Sequence, residues 1–130
     1  MLLNAKRSLL LLPGDPPGGR PARNLALLQA AAQRLQVPMA SANSPNWRVG
    51  LATGRNQLVA AGALGDAEPA RLPRGTAAFQ VIDCLADDQR PPECDWTGMA
   101  ATPVTTEMVV FEWLGRGATD DFRALIALIK

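Results

Sequence analysis

The run Ser8-Leu9-Leu10-Leu11-Leu12, stopped at once by Pro13 and Gly14, constrains this chain more than any other feature. A strand that is apolar on both faces cannot lie on a half-solvated antiparallel sheet; it needs cover on both sides, which is the condition of parallel sheets. The adjoining segments meet that condition. Pro21 suits the first turn of a helix, and Leu25, Leu28, Ala32 and Leu35 recur at three- and four-residue spacing along one face. Residues 37–42, with Pro38 near their start, read as a second strand. The three segments predict a strand-helix-strand unit with parallel strands and a right-handed crossover.

The rest of the chain extends the same pattern. Residues 57–61 and 77–82 read as a third and a fourth strand, the latter carrying Phe79, Val81 and Ile82, and residues 102–105 as a short fifth. Between the third and fourth, residues 62–75 contain Pro69, Pro73 and three glycines, poor material for a full helix. Thr105 or Thr106 can cap a helix in which Glu107 suits the positive end and Met108, Val109, Phe111, Trp113 and Leu114 supply apolar bulk, until Gly115 and Gly117 stop it. A last helix is predicted from Thr119, with Asp120 and Asp121 in its first turn, Lys130 at its end, and Phe122, Leu125, Ile126 and Ile129 as its buried stripe. The expected fold is α/β: a three-layer sandwich on a mostly parallel sheet of about five strands, with residues 1–130 as a single domain.

Composition sets limits on function. A length of 130 residues with 48% hydrophobic content suffices for one core. The net charge is +1 and no stretch gathers five or six like charges, so neither nucleic acid nor an anionic membrane is an expected partner. Histidine is absent, which removes any His-dependent triad and the commonest metal ligand; no metal and no cofactor is expected. The apolar stretch at residues 9–12 is too short for a signal-peptide core or a membrane span. Without a secretory signal, Cys84 and Cys94 read as free thiols in a reducing compartment, and the expected location is the cytoplasm.

Residues 104–116, Val104-Thr105-Thr106-Glu107-Met108-Val109-Val110-Phe111-Glu112-Trp113-Leu114-Gly115-Arg116, resemble the isochorismatase-like cysteine hydrolases, above all small bacterial members whose sheet ends in a "vTTEMvlFEWL" segment. The resemblance extends to Asn4-Ala5-Lys6-Arg7-Ser8-Leu9-Leu10-Leu11-Leu12, similar to that family's first strand, and to residues 27–42, similar to its first helix and second strand. Gly54-Arg55-Asn56-Gln57-Leu58-Val59 is similar to the strand leading to the family's nucleophile, and Phe79-Gln80-Val81-Ile82-Asp83 to the strand usually written "FVVADA". About two thirds of the chain has a counterpart.

The resemblance implies a doubly wound parallel sheet and a chemistry resting on an Asp just after the first strand, a Lys near the middle of the sheet and a Cys nucleophile at a helix start. None of the three stands in its place. Gly14 occupies the position of the Asp, with Asp15 one residue late in a proline-rich turn. The strand that carries the Lys is missing, since residues 43–53 contain no lysine and only one cation, Arg48, whose guanidinium lacks an adjustable pKa. Residues 62–69, where the Cys belongs, contain no thiol. The acyl-transfer mechanism therefore has no working parts.

Some residues invite a sharper reading. Asp15 and Asp83 fall at strand ends, where open parallel sheets bind ligands, and are the candidate ligand-binding residues; the competing reading of Asp15 is a solvated turn aspartate. Cys84 could be a relocated nucleophile or a buried structural thiol, and the lack of a nearby cation favours the second. Gly14, Gly18 and Gly19 faintly suggest a phosphate loop, but their spacing is not G-x-G-x-x-G and the prolines remove amide donors. Trp113 reads as core or subunit interface, whereas Trp47 and Trp96 lie in loops and read as an exposed contact patch.

The expected function is that of a pseudoenzyme, acting by binding or oligomeric assembly. The expected partner is a second copy or a related chain, with Phe111, Trp113, Phe122, Leu125 and Ile129 at or near the contact. The alternative is a hydrolase of changed mechanism, using Asp15, Asp66, Glu68 or Asp83 as carboxylate bases on a small amide or ester, with or without Mg²⁺; no ligand spacing supports the metal form. A third reading is a decayed fragment with no selected role.

Overall fold

The computed structural model describes residues 3–52, 54–64, 71–86, 89, 101–115, 123 and 127. Among these residues five strands form one sheet: β1 (Ser8–Leu12), β2 (Met39–Ser41), β3 (Gln57–Ala60), β4 (Ala77–Val81) and β5 (Thr102–Val104), in the order β2-β1-β3-β4-β5. Every neighbouring pair is parallel. Helix α1 (Gly19–Arg34) connects β1 to β2, and α2 (Thr106–Leu114) comes directly after β5. Each expected strand from the first to the fifth is present, the second to fifth slightly shorter than expected.

The side chains of β1 explain why the run Leu9 to Leu12 must be parallel and interior. Leu10 faces one side of the sheet and packs with Val59, Phe79, Val81 and Val104 against α1 and α2. Leu9 and Leu11 face the other side and pack with Leu58, Ala60, Trp47 and Leu51. Both described α-helices thus lie on one face, while a short 3-10 helix, Trp47–Ala52, meets the other. Leu10, Leu28 and Leu58 are fully enclosed, and each such leucine stabilises the fold by about 1.5–3 kcal/mol relative to an exposed one.

Helix α1 buries Leu25, Leu27, Leu28, Ala31 and Ala32, the stripe its three- and four-residue spacing predicts. It begins two residues before Pro21, which its first turn accepts because the amide that proline lacks has no intrahelical partner there. It ends in a Schellman arrangement: the Val37 amide donates to the Ala32 carbonyl and the Gln36 amide to the Gln33 carbonyl. Gln36 occupies the left-handed position at φ 59°, where glycine is usual.

Helix α2 is capped by Thr105, whose hydroxyl accepts from the Met108 amide, and it turns Val109, Val110 and Trp113 into the core. The Trp113 indole N–H donates to the buried Ser8 hydroxyl at 2.9 Å, and the Gln57 side-chain oxygen stands 3.1 Å from that hydroxyl and accepts the Asn4 amide. A buried polar cluster at the start of β1 and β3 therefore fixes where α2 rests on the sheet.

Trp47 corrects an expectation. Sequence placed it in a loop as an exposed contact, but it is 8% exposed and helps form the second core. The side of the sheet that lacks an α-helix among the described residues needs a large apolar group, and the short 3-10 helix supplies it, with the Arg48 guanidinium stacked 4.5 Å from the indole centroid. The predicted last helix, with Phe122, Leu125 and Ile129, lies outside the described residues apart from Arg123 and Ala127, as do Trp96 and Cys94.

Candidate functional site

Strand order decides where a site can form. The chain leaves β1 for β2 on one side and later returns to place β3 on the other, so the crossovers diverge above β1 and open a crevice at the carboxyl ends of β2, β1 and β3. A cleft of about 260 Å³ occupies that place. Leu12, Pro13, Gly14 and Asp15 line it from β1, Ala42 and Asn43 from β2, and Gly62 and Ala63 from β3.

The loops around the cleft are closely fitted. The Asn43 side-chain amide donates to the Gly14 carbonyl at 3.2 Å, and the Asn43 backbone amide donates to the Ser41 hydroxyl at 3.1 Å. A methyl group on Gly14 would come within 2.5 Å of the Asn43 Oδ1, and one on Gly62 within 2.9 Å of the Pro13 Cα. Gly62 needs glycine for its close approach to the Pro13 backbone, whereas at Gly14 the contact is the end of the Asn43 side chain, which can shift. From below, Gln80 braces the β3 wall: its amide donates to the carbonyls of Ala60 and Gly62, and its oxygen accepts the Leu64 amide at 2.9 Å. Gln80 is 1% exposed, so its three bonds are what make a polar side chain tolerable there.

Asp15 is exposed and lines the cleft, as its position after the first strand suggests. Asp83 is elsewhere. It sits in a 3-10 turn, Ile82–Cys84, directly after β4, and its Oδ1 accepts from both the Thr106 amide at 2.9 Å and the Thr106 hydroxyl at 2.7 Å. Its backbone carbonyl accepts the Asn24 side chain at 2.7 Å. The geometry makes Asp83 a clamp between β4, α1 and the start of α2, where a negative charge suits the helix dipole. The two candidate ligand-binding residues do not meet in one site.

Cys84 joins this clamp from inside. It is 1% exposed, and its sulfur lies 3.3 Å from the Thr106 hydroxyl. That hydroxyl has one proton and gives it to Asp83, so the thiol is the donor in the sulfur contact. Burial pushes the thiol up to about 12, and the neighbouring Asp83 acts in the same direction. A nucleophilic cysteine needs the opposite setting, a lowered pKa near a cation and access for substrate; Cys84 is structural. Among the described residues no group of three or more Asp, Glu or Cys is placed to share a metal ion.

The expected contact residues separate as well. On α2, Phe111 is 67% exposed and Met108 is 43% exposed, with Glu107 and Glu112 beside them along a shallow groove. Trp113 is 5% exposed and belongs to the core, the first of the two roles its size allows.

Sequence reasoning missed Asn43, Gly62 and Gln80. Gln80 left a trace, a lone amide inside the apolar strand Phe79-Gln80-Val81, since a buried polar group in a strand must be tied to something. Asn43 and Gly62 left none, because only the pairing of β1 with both β2 and β3 brings them together. No helix among the described residues is long and apolar enough to cross a membrane. Compared with protein-family models, with curated proteins and with solved structures, the chain finds no match.

Proposed function

We propose that this protein is a cytoplasmic, shortened relative of the isochorismatase-like hydrolases, built as a truncated three-layer version of their fold, which binds a small ligand and does not turn it over. The observation that carries the reading is the crevice above β1: it lies where an open parallel sheet offers a ligand site, and its described lining includes no thiol, no lysine and no histidine. Cys84 supports the same reading, since a thiol raised to about 12 and sealed in the core has no part in acyl transfer. The carboxylate alternative is weakened at Asp83, whose Oδ1 is engaged by Thr106. Self-association belongs to the same proposal, with the exposed Phe111 face of α2 as the contact with a second copy or a related chain.

Two measurements on the full chain test the reading. Incubation with a panel of small amides and esters, with and without divalent metals, is expected to give no hydrolysis above background; turnover would sink the pseudoenzyme. Amide chemical shifts in a small-molecule screen are expected to move at Gly14, Asp15, Asn43, Gly62 and Ala63, and shifts confined to other surfaces would remove the crevice as the site.

A further inference from the structure

The polar groups that the loops after β1 and β2 bring to the mouth of the crevice are of one kind. Asp15 offers a carboxylate, which only accepts hydrogen bonds. Asn43 is oriented by two contacts: its backbone amide is tied to Ser41, and its side-chain N–H₂ donates to the Gly14 carbonyl. The Asn43 Oδ1 lies against Gly14 at the rim, and none of the described residues donates to it. Gln89 also borders the cleft; its side-chain oxygen is turned back to the Ala86 amide, which leaves its neutral N–H₂ as a donor there. Among the described lining residues there is no Lys or Arg. The residues beneath are small or apolar by type, Leu11, Leu12, Pro13, Ala42, Gly62 and Ala63, although most of the surface exposed in the cleft is polar. A cleft of about 260 Å³ whose mouth carries the Asp15 carboxylate and the Asn43 oxygen is complementary to a compact body bearing hydrogen-bond donors and positive charge. It disfavours an anion, which would meet the Asp15 carboxylate without a compensating cation.

We infer that the ligand class of this crevice is a small primary amine, bound as its ammonium ion between the Asp15 carboxylate and the Asn43 Oδ1, with its hydrocarbon part against Leu12, Pro13 and Ala63. The inference rests on the crevice being a binding site, and adds what it selects. Because Asp15 is exposed, the ion pair is solvent-screened, and such pairs contribute about 0.2–1 kcal/mol, a preference of about 1.4- to 5-fold.

The test titrates the full chain with three probes of one shape, cyclopentylamine, cyclopentanol and cyclopentanecarboxylate, following amide shifts by NMR. The amine is expected to bind tightest at the crevice, about 1.4- to five-fold above the alcohol at low salt, with the advantage shrinking as salt is added. Asp15→Asn, an exposed change that leaves packing intact, is expected to bring amine and alcohol level; Asn43→Ser should weaken the amine more than the alcohol while the Asp15 resonance still responds. If the alcohol or the carboxylate binds as well as the amine, or Asp15→Asn leaves the amine unaffected, the amine class is wrong while the crevice remains a site. If none of the three moves the crevice amides, both the class and the binding reading fail.

Discussion

Cys84 shows how one residue's surroundings decide between two chemistries that its identity leaves open. Its sulfur is enclosed by β4, α1 and α2 and donates to Thr106, and burial pushes the thiol up to about 12 from an ordinary value of 9.0. In the unfolded chain the thiol ionises first, so stability is complete below about pH 9 and declines as pH rises toward about 12. The loss at the upper end is on the order of 4 kcal/mol. Chemical denaturation between pH 8 and pH 11 should show this decline, and Cys84→Ala should flatten it at the cost of a small cavity. A thiol reagent should leave Cys84 unmodified in the native protein and label it after denaturation; rapid labelling of the folded chain would place the sulfur at the surface and reopen a catalytic role.

Elements were legible where one face of a segment repeats. The α1 stripe, the α2 cap at Thr105 and the five strands all arise from local pattern, since a buried face must recur at the period of its backbone. Local pattern does not carry the joint between elements. Asp83 reads as a site residue from its strand-end position, yet its oxygen caps α2 because residues 83 and 106 meet across the sheet. Asp83→Ala should destabilise the fold by about 1–3 kcal/mol, since it removes the acceptor of both the Thr106 amide and the buried Thr106 hydroxyl. Unfolding in urea would measure it, and a change under about 0.5 kcal/mol would make Asp83 a free carboxylate again. At the other end of α1, Gln36 sits at φ 59° in a position that glycine fits without strain. Gln36→Gly should therefore stabilise the protein, or leave it unchanged, where the same substitution within the helix would cost about 1 kcal/mol.

At the scale of the whole molecule, among the described residues the sheet is open at both ends, with β2 and β5 at its edges. Pro103 lies inside β5 and removes an amide that a further strand would use. It discourages growth at the β5 edge and leaves a helix face as the other surface for association. On α2 the two aromatics divide that question. A polar substitution at the 5%-exposed Trp113 breaks its bond to Ser8 and empties the core, a cost of about 3–5 kcal/mol, so any loss of assembly there would come from unfolding. Phe111, 67% exposed on the same helix, can be changed with far less effect on the fold. If two copies meet through this face, Phe111→Gln should leave the unfolding midpoint within a few degrees while weakening association at least about 30-fold, the weight of an aromatic anchor worth about 2 kcal/mol. Light scattering at low micromolar concentration should then give a dimer for the native chain and a monomer for the variant. A native chain that is already monomeric, or a variant that pairs as well as the native, would remove the α2 face as the contact and leave the crevice as the surface on which a function can rest.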